Sequence, residues 1–472
     1  MEKKLLRLII IGLAVCAVLT AAVIVVGNIT NKTDSSVKVF IDRQPGEIRS
    51  LKVANGYGNY EVYYEDDGYV FDDMPANIVD EEGFFELMNH SCAFGALRVV
   101  KENADDLALY GMDAPRSIVV VTFNDGETFK LRIGAEETVT GNYYGMVNDD
   151  PNVYLFAEED MLYFLVGKQT YISTQVTPAS SATSPLSAIR DITFSGAALE
   201  KPITVKAVLD SDPETQLLAK SFGPATHIVQ MKGVYELDQT YGIEILGSVL
   251  DIQAVDVIGY NMSDNDLTKL GFDEPYMQVD FSMKKDAETI ADYQLKLIPY
   301  GEFFLATMKG SGIVFVINPP AFVTVDYTKL CMRWFLAPLR KDLENVTVEY
   351  GGSRYVFTSE DTENGDIKAY VNGDEISKDL FFSFYRLVTS AASDGLYLED
   401  TVNEGSPLMT ITYNYLDKSK APDVMNLYSG SVRRVNVEVN GVTEFDMKAS
   451  FVDAMINAIQ NILAGEPIEE NW

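Results

Sequence analysis

Residues 106–115 read DLALYGMDAP, and residues 266–275 read DLTKLGFDEP. The same 160-residue spacing aligns Val119 with Val279 and Gly141 with Gly301. An internal repeat on this scale predicts a chain built from related modules, each with the same order of elements. A motif that recurs at the same element junction is more typical of a fold than of two active sites.

The motif has a structural interpretation. Gly111 is predicted to end a short helix in the left-handed conformation, where glycine has no Cβ penalty. Asp113 is expected to accept hydrogen bonds from backbone amides two residues on, and Pro115 to fix the entry into the next strand. The motif therefore predicts a capped turn leading into a strand.

Strand and helix patterns around the motif predict three modules, at residues 36–168, 188–325 and 342–465. Asp80 and Asp238 are predicted N-caps of a longer helix in the first two. The third module follows the same element order but keeps only Pro407 of the motif. We expect an α+β fold: an N-terminal transmembrane helix, then three related repeats, each a mainly antiparallel sheet with one longer and one short helix.

The two joins between modules differ in composition. Residues 170–187 are rich in serine and threonine and contain Pro178 and Pro185, which is typical of a solvated, flexible linker. Residues 326–341 include Trp334 and several other large apolar residues, so this join is expected to be packed and stiffer.

The N-terminus predicts a membrane anchor. The predicted anchor, residues 8–27, follows a seven-residue tail (1–7) that carries three basic residues, and its nineteen residues from Leu8 to Val26 carry no charge. Nineteen apolar residues at about 1.5 Å each span a bilayer core, and the basic flank places the tail in the cytoplasm. The bulk of the chain is then extracytoplasmic, in a single-pass cell-membrane protein. The alternative is a signal peptide cleaved near Ala22.

The composition excludes some partners. The chain has 70 acidic and 37 basic residues and a net charge of −33. Such a surface repels nucleic acid and anionic headgroups, so no nucleic-acid partner is expected. Of three cysteines, Cys16 lies in the apolar segment, and Cys92 and Cys331 are predicted to be buried thiols rather than a disulfide.

Candidate catalytic and metal-binding residues are weakly marked. His90 and His227 lie in different modules without ligand spacing for zinc. Acidic clusters at 149–150, 210–212 and 360–366 offer oxygen ligands for calcium, but none has the twelve-residue calcium-loop pattern. No two carboxylates stand out as a glycosidase pair. The sequence therefore assigns no catalytic, cofactor-binding or metal residues, and no cofactor.

Aromatic residues suggest another kind of site. Tyr143-Tyr144 and Phe303-Phe304 follow equivalent glycines, and one member of each pair is expected to face the core while the other is exposed. Tyr57, Tyr60 and Tyr143 are candidates for stacking on a sugar or contacting a protein partner.

The segment from Leu107 to Pro115, the strand Ile118 to Phe123, the hairpin to Ile133-Gly134, and Tyr143-Tyr144 together resemble a bacterial family known as domain of unknown function 4340. The resemblance implies a membrane-anchored companion of ABC-type export permeases, including gliding-motility-type systems. It implies no catalytic residues.

Taken together, these features favour a non-enzymatic, single-pass accessory protein that docks an ABC-type transporter or an envelope complex outside the membrane. A cell-wall glycan-binding module is the alternative, and an extracytoplasmic hydrolase using paired carboxylates is the least favoured.

Overall fold

A computed structural model of the chain describes residues 38–65, 68–75, 78–284, 289–394, 397–399 and 401–472. The predicted tail and anchor, residues 1–27, lie outside these ranges. None of the helices in the described ranges is long and apolar enough to cross a membrane. The chain divides into two compact units, one ending at Ser173 and the other running from Thr174 to Trp472.

The first unit contains a small sheet and a large one. Its longest helix is α1 (Glu81–Cys92). Asp80 is the N-cap of this helix, and its side chain accepts a hydrogen bond from the Gly83 amide, as the sequence predicts. A four-residue helix, α2 (Glu158–Met161), follows the last strand. The strands are β1 Lys38–Asp42, β2 Ile48–Asn55, β3 Gly58–Glu65, β4 Gly68–Phe71, β5 Ala93–Ala96, β6 Arg98–Lys101, β7 Ser117–Phe123, β8 Thr128–Glu136, β9 Tyr143–Val147 and β10 Val153–Phe156.

The second unit contains two large sheets, formed by the second and third repeats. The second repeat supplies β11 Ile189–Ser195, β12 Ile203–Ala207, β13 His227–Gln230, β14 Val234–Glu236, β15 Asp256–Gly259, β16 Met277–Lys284, β17 Ile290–Tyr300, β18 Phe303–Met308 and β19 Val314–Ile317. The third supplies β20 Leu343–Tyr350, β21 Ser353–Asp361, β22 Ile367–Val371, β23 Asp374–Ile376, β24 Met409–Tyr415, β25 Asp423–Ser429, β26 Arg434–Val439 and β27 Val442–Lys448.

Helices of the second unit are short in the second repeat and longer in the third. Asp238 caps α5 through the Tyr241 amide, as predicted, and Ser377 caps α8 in the same way. The helices are α3 Pro185–Ala188, α4 Pro213–Leu218, α5 Gln239–Gly247, α6 Asp264–Leu270, α7 Tyr327–Leu330, α8 Lys378–Val388 and α9 Ser450–Ala464.

The three large sheets share a common order of seven strands, to which the second and third add an edge strand (β14, β23) and the first and second add another at the opposite edge (β6, β15). Their strand orders are β4-β3-β2-β7-β8-β9-β10-β6, β14-β13-β12-β11-β16-β17-β18-β19-β15 and β23-β22-β21-β20-β24-β25-β26-β27. In each, one meander precedes the longer helix and another follows it, and the two meet at an antiparallel pair: β2 with β7, β11 with β16, or β20 with β24. One sheet face is packed on that helix, with Leu87, Leu246 and Leu387 fully buried.

The predicted α+β class is wrong. Four antiparallel sheets account for the architecture, and within the described residues only four helices exceed eight residues. The fold is mainly β. The helical patterns in the sequence predicted more helix than the chain forms. Each large sheet buries one face under one or two helices, and strand pairing accounts for the remaining structure.

Each repeat is entered through a short extended segment that pairs with the chain after its helix. β1 pairs with β5. Likewise Gln175 bridges Gln253 in the second repeat, and Trp334 bridges Ala392 in the third. The segment predicted as a solvated linker, 170–187, thus contributes backbone pairing to the second unit, and Val176 and Thr177 in it are buried.

Candidate functional site

The repeated motif forms a similar turn in both repeats, and the residue after its glycine is buried in each. Gly111 and Gly271 take left-handed φ values of 68° and 100°, as predicted. The amide of the residue after each glycine donates a hydrogen bond to the carbonyl four residues before that glycine. Met112 donates to Leu107 at 3.0 Å, and Phe272 donates to Leu267 at 3.1 Å. This closure is a helix C-terminal motif that satisfies an otherwise orphaned carbonyl.

The side chain after each glycine packs into an equivalent cluster. Met112 lies with Met146 and Val153, and Phe272 lies with Leu305 and Val314, so the motif covers the strands at one end of each sheet. Asp113 differs from the prediction: its Oδ1 accepts from the amide of the next residue, Ala114, at 3.1 Å. The motif is thus a packing element in both repeats.

The third repeat lacks the motif, and it makes a different contact with the second repeat. Leu398 donates its amide to the Glu444 carbonyl, as Leu97 donates to Leu155 and Val255 to Val316. Glu444 therefore occupies a position that is apolar and buried in the other two repeats, yet it is itself 0% exposed. A buried carboxylate needs partners, and the second repeat and the join that follows it provide them.

Glu444 is bonded to one group of the second repeat and to one of the join that follows it. Its Oε2 accepts from the Gly233 amide at 2.8 Å and from the Tyr327 hydroxyl at 3.1 Å. A Cβ on Gly233 would lie 2.7 Å from the same oxygen, so glycine is required for this approach. Oε1 is buried without a hydrogen-bond partner among the described residues.

Asp423 is the second buried carboxylate at this contact. Lys220 forms an ion pair with it, the Ser221 hydroxyl donates to it at 2.5 Å, and Tyr415 and Asn440 of its own repeat also donate. Burial acts to raise the pKa of Asp423, but the hydrogen bonds from Lys220, Ser221 and Tyr415 outweigh it and hold that pKa below its ordinary value of 3.8. The carboxylate is therefore ionised at neutral pH.

These two carboxylates are used in packing. A cavity of about 250 Å³ beside the contact is lined in part by Lys220, Gly233 and Asn440, whose polar atoms already bond Asp423 or Glu444. Sequence reasoning missed both residues because acidic residues are too common in this chain to stand out. Aligning the third repeat on the first two would have placed Glu444 on Leu155 and Val316.

The remaining polar candidates are also in structural contacts. His90 stacks on Tyr163 at 4.5 Å, and its Nδ1 lies 3.1 Å from Asp160. Asp150 pairs with Lys38, Asp212 caps α4, and Asp366 pairs with Lys378. The described residues contain no group of three or more histidine, cysteine or carboxylate side chains placed to hold a metal ion.

The thiols and most candidate aromatics are buried. Cys92 and Cys331 are free, and burial raises the pKa of Cys92 to about 11, so it is not a thiolate at neutral pH. Tyr143 and Tyr60 are 6% and 4% exposed, whereas Tyr57 is 70% exposed. Tyr143 is therefore the core-facing member of its pair, and Tyr144 is half-buried against Tyr110 at 5.2 Å.

Accessible surfaces of the described residues include part of each outer sheet face, the face turned away from the longer helix. The motif turn covers only one end of this face, and a shallow cavity lies over the other half in both repeats. It has a volume of about 310 Å³ in the first repeat and 370 Å³ in the second. We call these the first and second open faces, lined respectively by Lys52, Ala54, Glu61, Ile118 and Val120, and by Asp191, Thr193, Asp280, Ser282 and Asp292.

Strand register shows where the two open faces overlap: Lys52 and Val120 of the first correspond to Thr193 and Asp280 of the second. Val53 pairs with Val119 as Phe194 pairs with Val279, so the neighbouring outward positions correspond. Across the next strand pair, Val120 opposite Lys130 matches Asp280 opposite Gln294. The backbone frame is therefore shared while the exposed chemistry is different.

Residues 87–275 match the family described as Domain of unknown function (DUF4340). The match begins in α1 of the first repeat and ends at the motif proline of the second, and it confirms the resemblance drawn from the residues. No curated protein matches the chain.

Proposed function

We propose that this chain, whose residues 87–275 match that family of unknown function, is a non-enzymatic accessory protein. In this proposal it is held in the cell membrane by its apolar N-terminal segment and docks an ABC-type transporter or envelope complex outside the membrane. The observation that carries the proposal is the pair of open faces: where the two cavities overlap, one backbone frame presents Lys52 and Val120 in the first repeat and Thr193 and Asp280 in the second.

A docking role agrees with how the polar groups are used. Asp423 and Glu444 are fully buried and bonded to the second repeat. Full burial in contact with fixed donors is typical of a structural contact, whereas a general acid or base must reach a substrate proton. The exposed sheet faces remain as the surfaces able to meet a partner.

Chain length supports a partner at the membrane. Ten residues lie between Gly27 and Lys38, the first described residue of β1. An extended chain covers at most about 3.5 Å per residue, so β1 lies within about 35 Å of the end of the proposed anchor. The first repeat is then within reach of the exposed loops of a membrane-embedded protein.

The test is affinity purification of the tagged full-length chain from detergent-solubilised membranes of its own host. We expect the chain to stay in the membrane pellet after a carbonate wash, and a permease with its ATPase subunit to co-purify. Release by carbonate, or recovery of wall fragments without a permease, would contradict the proposal.

The alternative functions gain less from the geometry. Of the three tyrosines that suggested a glycan site, Tyr60 and Tyr143 are buried. A hydrolase would require two accessible carboxylates facing one bond. Three aspartates line the second open face, Asp191, Asp280 and Asp292, but Asp280 already accepts hydrogen bonds from Gln278 and Gln294.

A further inference from the structure

We infer that the first open face is the docking surface, and that it receives an amphipathic helix carrying acidic residues beside its apolar stripe. This inference rests on the proposed docking function and adds to it the surface on this chain and the chemistry of the partner.

The centre of the first open face is apolar. Ala54 lies opposite Ile118, and Lys52 lies opposite Val120, with Ala54, Ile118 and Val120 all half-buried. The second repeat has Ser195, Gln278 and Asp280 at the corresponding positions of its sheet. The shared frame therefore tolerates polar residues here, so the apolar centre is a property of the first repeat and not a requirement of the sheet.

Charged residues of both signs surround this centre. Glu61 and Asp72 line the cavity and are paired with Lys52 and Lys168, and two further cations form a rim on the β8 side. Lys130 is exposed opposite Val120, and Arg132 lies opposite Ile118. Within the described ranges no carboxylate lies within 4 Å of either side chain, whereas Lys52 pairs with Glu61 at 3.0 Å. At the positions of Lys52 and Lys130 the second repeat has Thr193 and Gln294. On this β8 rim, a chain of net charge −33 thus presents two cations beside an apolar patch.

Solvated lysines on a strand face are common. In addition, the cation at the position equivalent to Arg132 in the second repeat makes a hydrogen bond within its own repeat. There Lys296 donates to the Phe272 carbonyl at 2.9 Å. Lys130 and the apolar centre are therefore the features that distinguish the first open face from the second. Acidic groups on a partner would be attracted by the rim and steered onto the patch.

The size of the face suits a helix. The four strands β3, β2, β7 and β8 are neighbours in the sheet, and strands about 4.8 Å apart give a width of about 14 Å. A helix with its side chains is about 10–12 Å across, so one helix fills this width.

The test uses the full-length chain in its host membrane with a photo-crosslinking amino acid at Thr122, which lies on the same face one row from Val120. The variant is Val120→Asp with Lys130→Gln, which reproduces the Asp280–Gln294 pair of the second repeat. That pair is hydrogen-bonded at 2.6 Å in the same sheet position, so the variant is expected to fold. The matched control is the reverse exchange, Asp280→Val with Gln294→Lys.

We expect a crosslink from position 122 to a predicted helix of the partner in which acidic residues flank apolar ones, identified by peptide mass spectrometry. The yield is expected to fall about tenfold in V120D/K130Q, equivalent to about 1.4 kcal/mol, and to be unchanged in D280V/Q294K. A crosslink that survives V120D/K130Q, or one to a basic segment or to a second copy of this chain, overturns the inference. If a permease co-purifies without a crosslink at 122, the surface is wrong while the proposed function stands; if none co-purifies, both fail.

Discussion

Asp423 and Glu444 are single residues that decide how two repeats associate. Tyr413 pairs with Asp423 as Val121 pairs with Phe129 and Phe281 with Tyr293, so an aromatic position of two repeats has become a buried aspartate in the third. Glu444 replaces an apolar residue in the same way. Each substitution introduces a charge that groups from the second repeat help to satisfy, which makes the contact specific.

Replacing Asp423 with Asn is expected to destabilise the second unit by about 3 kcal/mol, because Lys220 is left as a largely buried cation without its partner. The free energy of unfolding from urea titration at pH 7 measures the effect. A double variant, Asp423→Asn with Lys220→Met, should recover part of the loss. Equal destabilisation by the single and double variants would contradict this assignment.

The same pair predicts a pH dependence. The folded-state pKa of Asp423 is lowered below 3.8, so its contribution to stability is fully present above the unfolded pKa and is lost as pH falls through the lower folded value. The difference in unfolding free energy between wild type and Asp423→Asn should be constant from about pH 5 to pH 8 and shrink below about pH 4. A difference that grows on acidification would be inconsistent with a lowered pKa.

Gly233 permits the Glu444 contact by its lack of a side chain. Gly233→Ala places a methyl group 2.7 Å from Glu444 Oε2 and 3.0 Å from the Tyr235 ring, and is expected to cost about 1–3 kcal/mol. Gly56→Ala is the control, because nothing lies within 4 Å of the position that its added methyl group would take. Thermal unfolding of the two variants compares them directly; equal midpoints would show that the contact adjusts freely.

At the scale of elements, the motif turn is a separate packing unit on the outer face of a sheet. It is built once from a 3₁₀ turn, Ala108–Tyr110, and once from the α-helix α6, yet both bury the residue after the glycine. The buried contact rather than the helix type is therefore what the two copies have in common.

Truncating the buried motif residue should loosen only its own unit. Met112→Ala is expected to destabilise residues 38–173 by about 2–5 kcal/mol, and Phe272→Ala to destabilise residues 174–472 by about 3–5 kcal/mol. Hydrogen exchange followed by mass spectrometry assigns each loss to its unit. Leu109→Ala, at a side chain 70% exposed, is the control and should change stability by less than about 0.5 kcal/mol.

At the scale of the molecule, the second and third repeats form one compact unit and the first repeat another. Aromatic packing extends the carboxylate contacts: Tyr235 lies 5.2 Å from Phe445, and Tyr327 lies 5.9 Å from Tyr397. A boundary that contains buried charges and a continuous aromatic cluster is expected to transmit unfolding from one repeat to the next.

The sheets of the second and third repeats are therefore expected to lose amide protection together as urea rises, at one common midpoint. Asp423→Asn should separate the two midpoints, because it removes the ion pair that joins the repeats while leaving each sheet intact. Exchange mass spectrometry on peptides from β16 and β24 reports the two sheets. Distinct midpoints in the wild-type chain would show that the repeats are independent.

The sequence by itself determined the repeat, the capped helices and the motif turn. Each of these depends on local chemistry: glycine at a left-handed position, aspartate at an N-cap, alternation along strands. The family was also recognisable from the motif and the strands that follow it, since those residues are contiguous.

Only the tertiary structure decided the fold class, the pairing of the second and third repeats and the open faces. These depend on which strands become neighbours and which side chains lose water. Residues such as Lys220 and Asp423 are 203 positions apart, and no local pattern reports that they meet. A buried carboxylate and a solvated one have the same letter in the sequence, and the environment that distinguishes them exists only after the chain has folded.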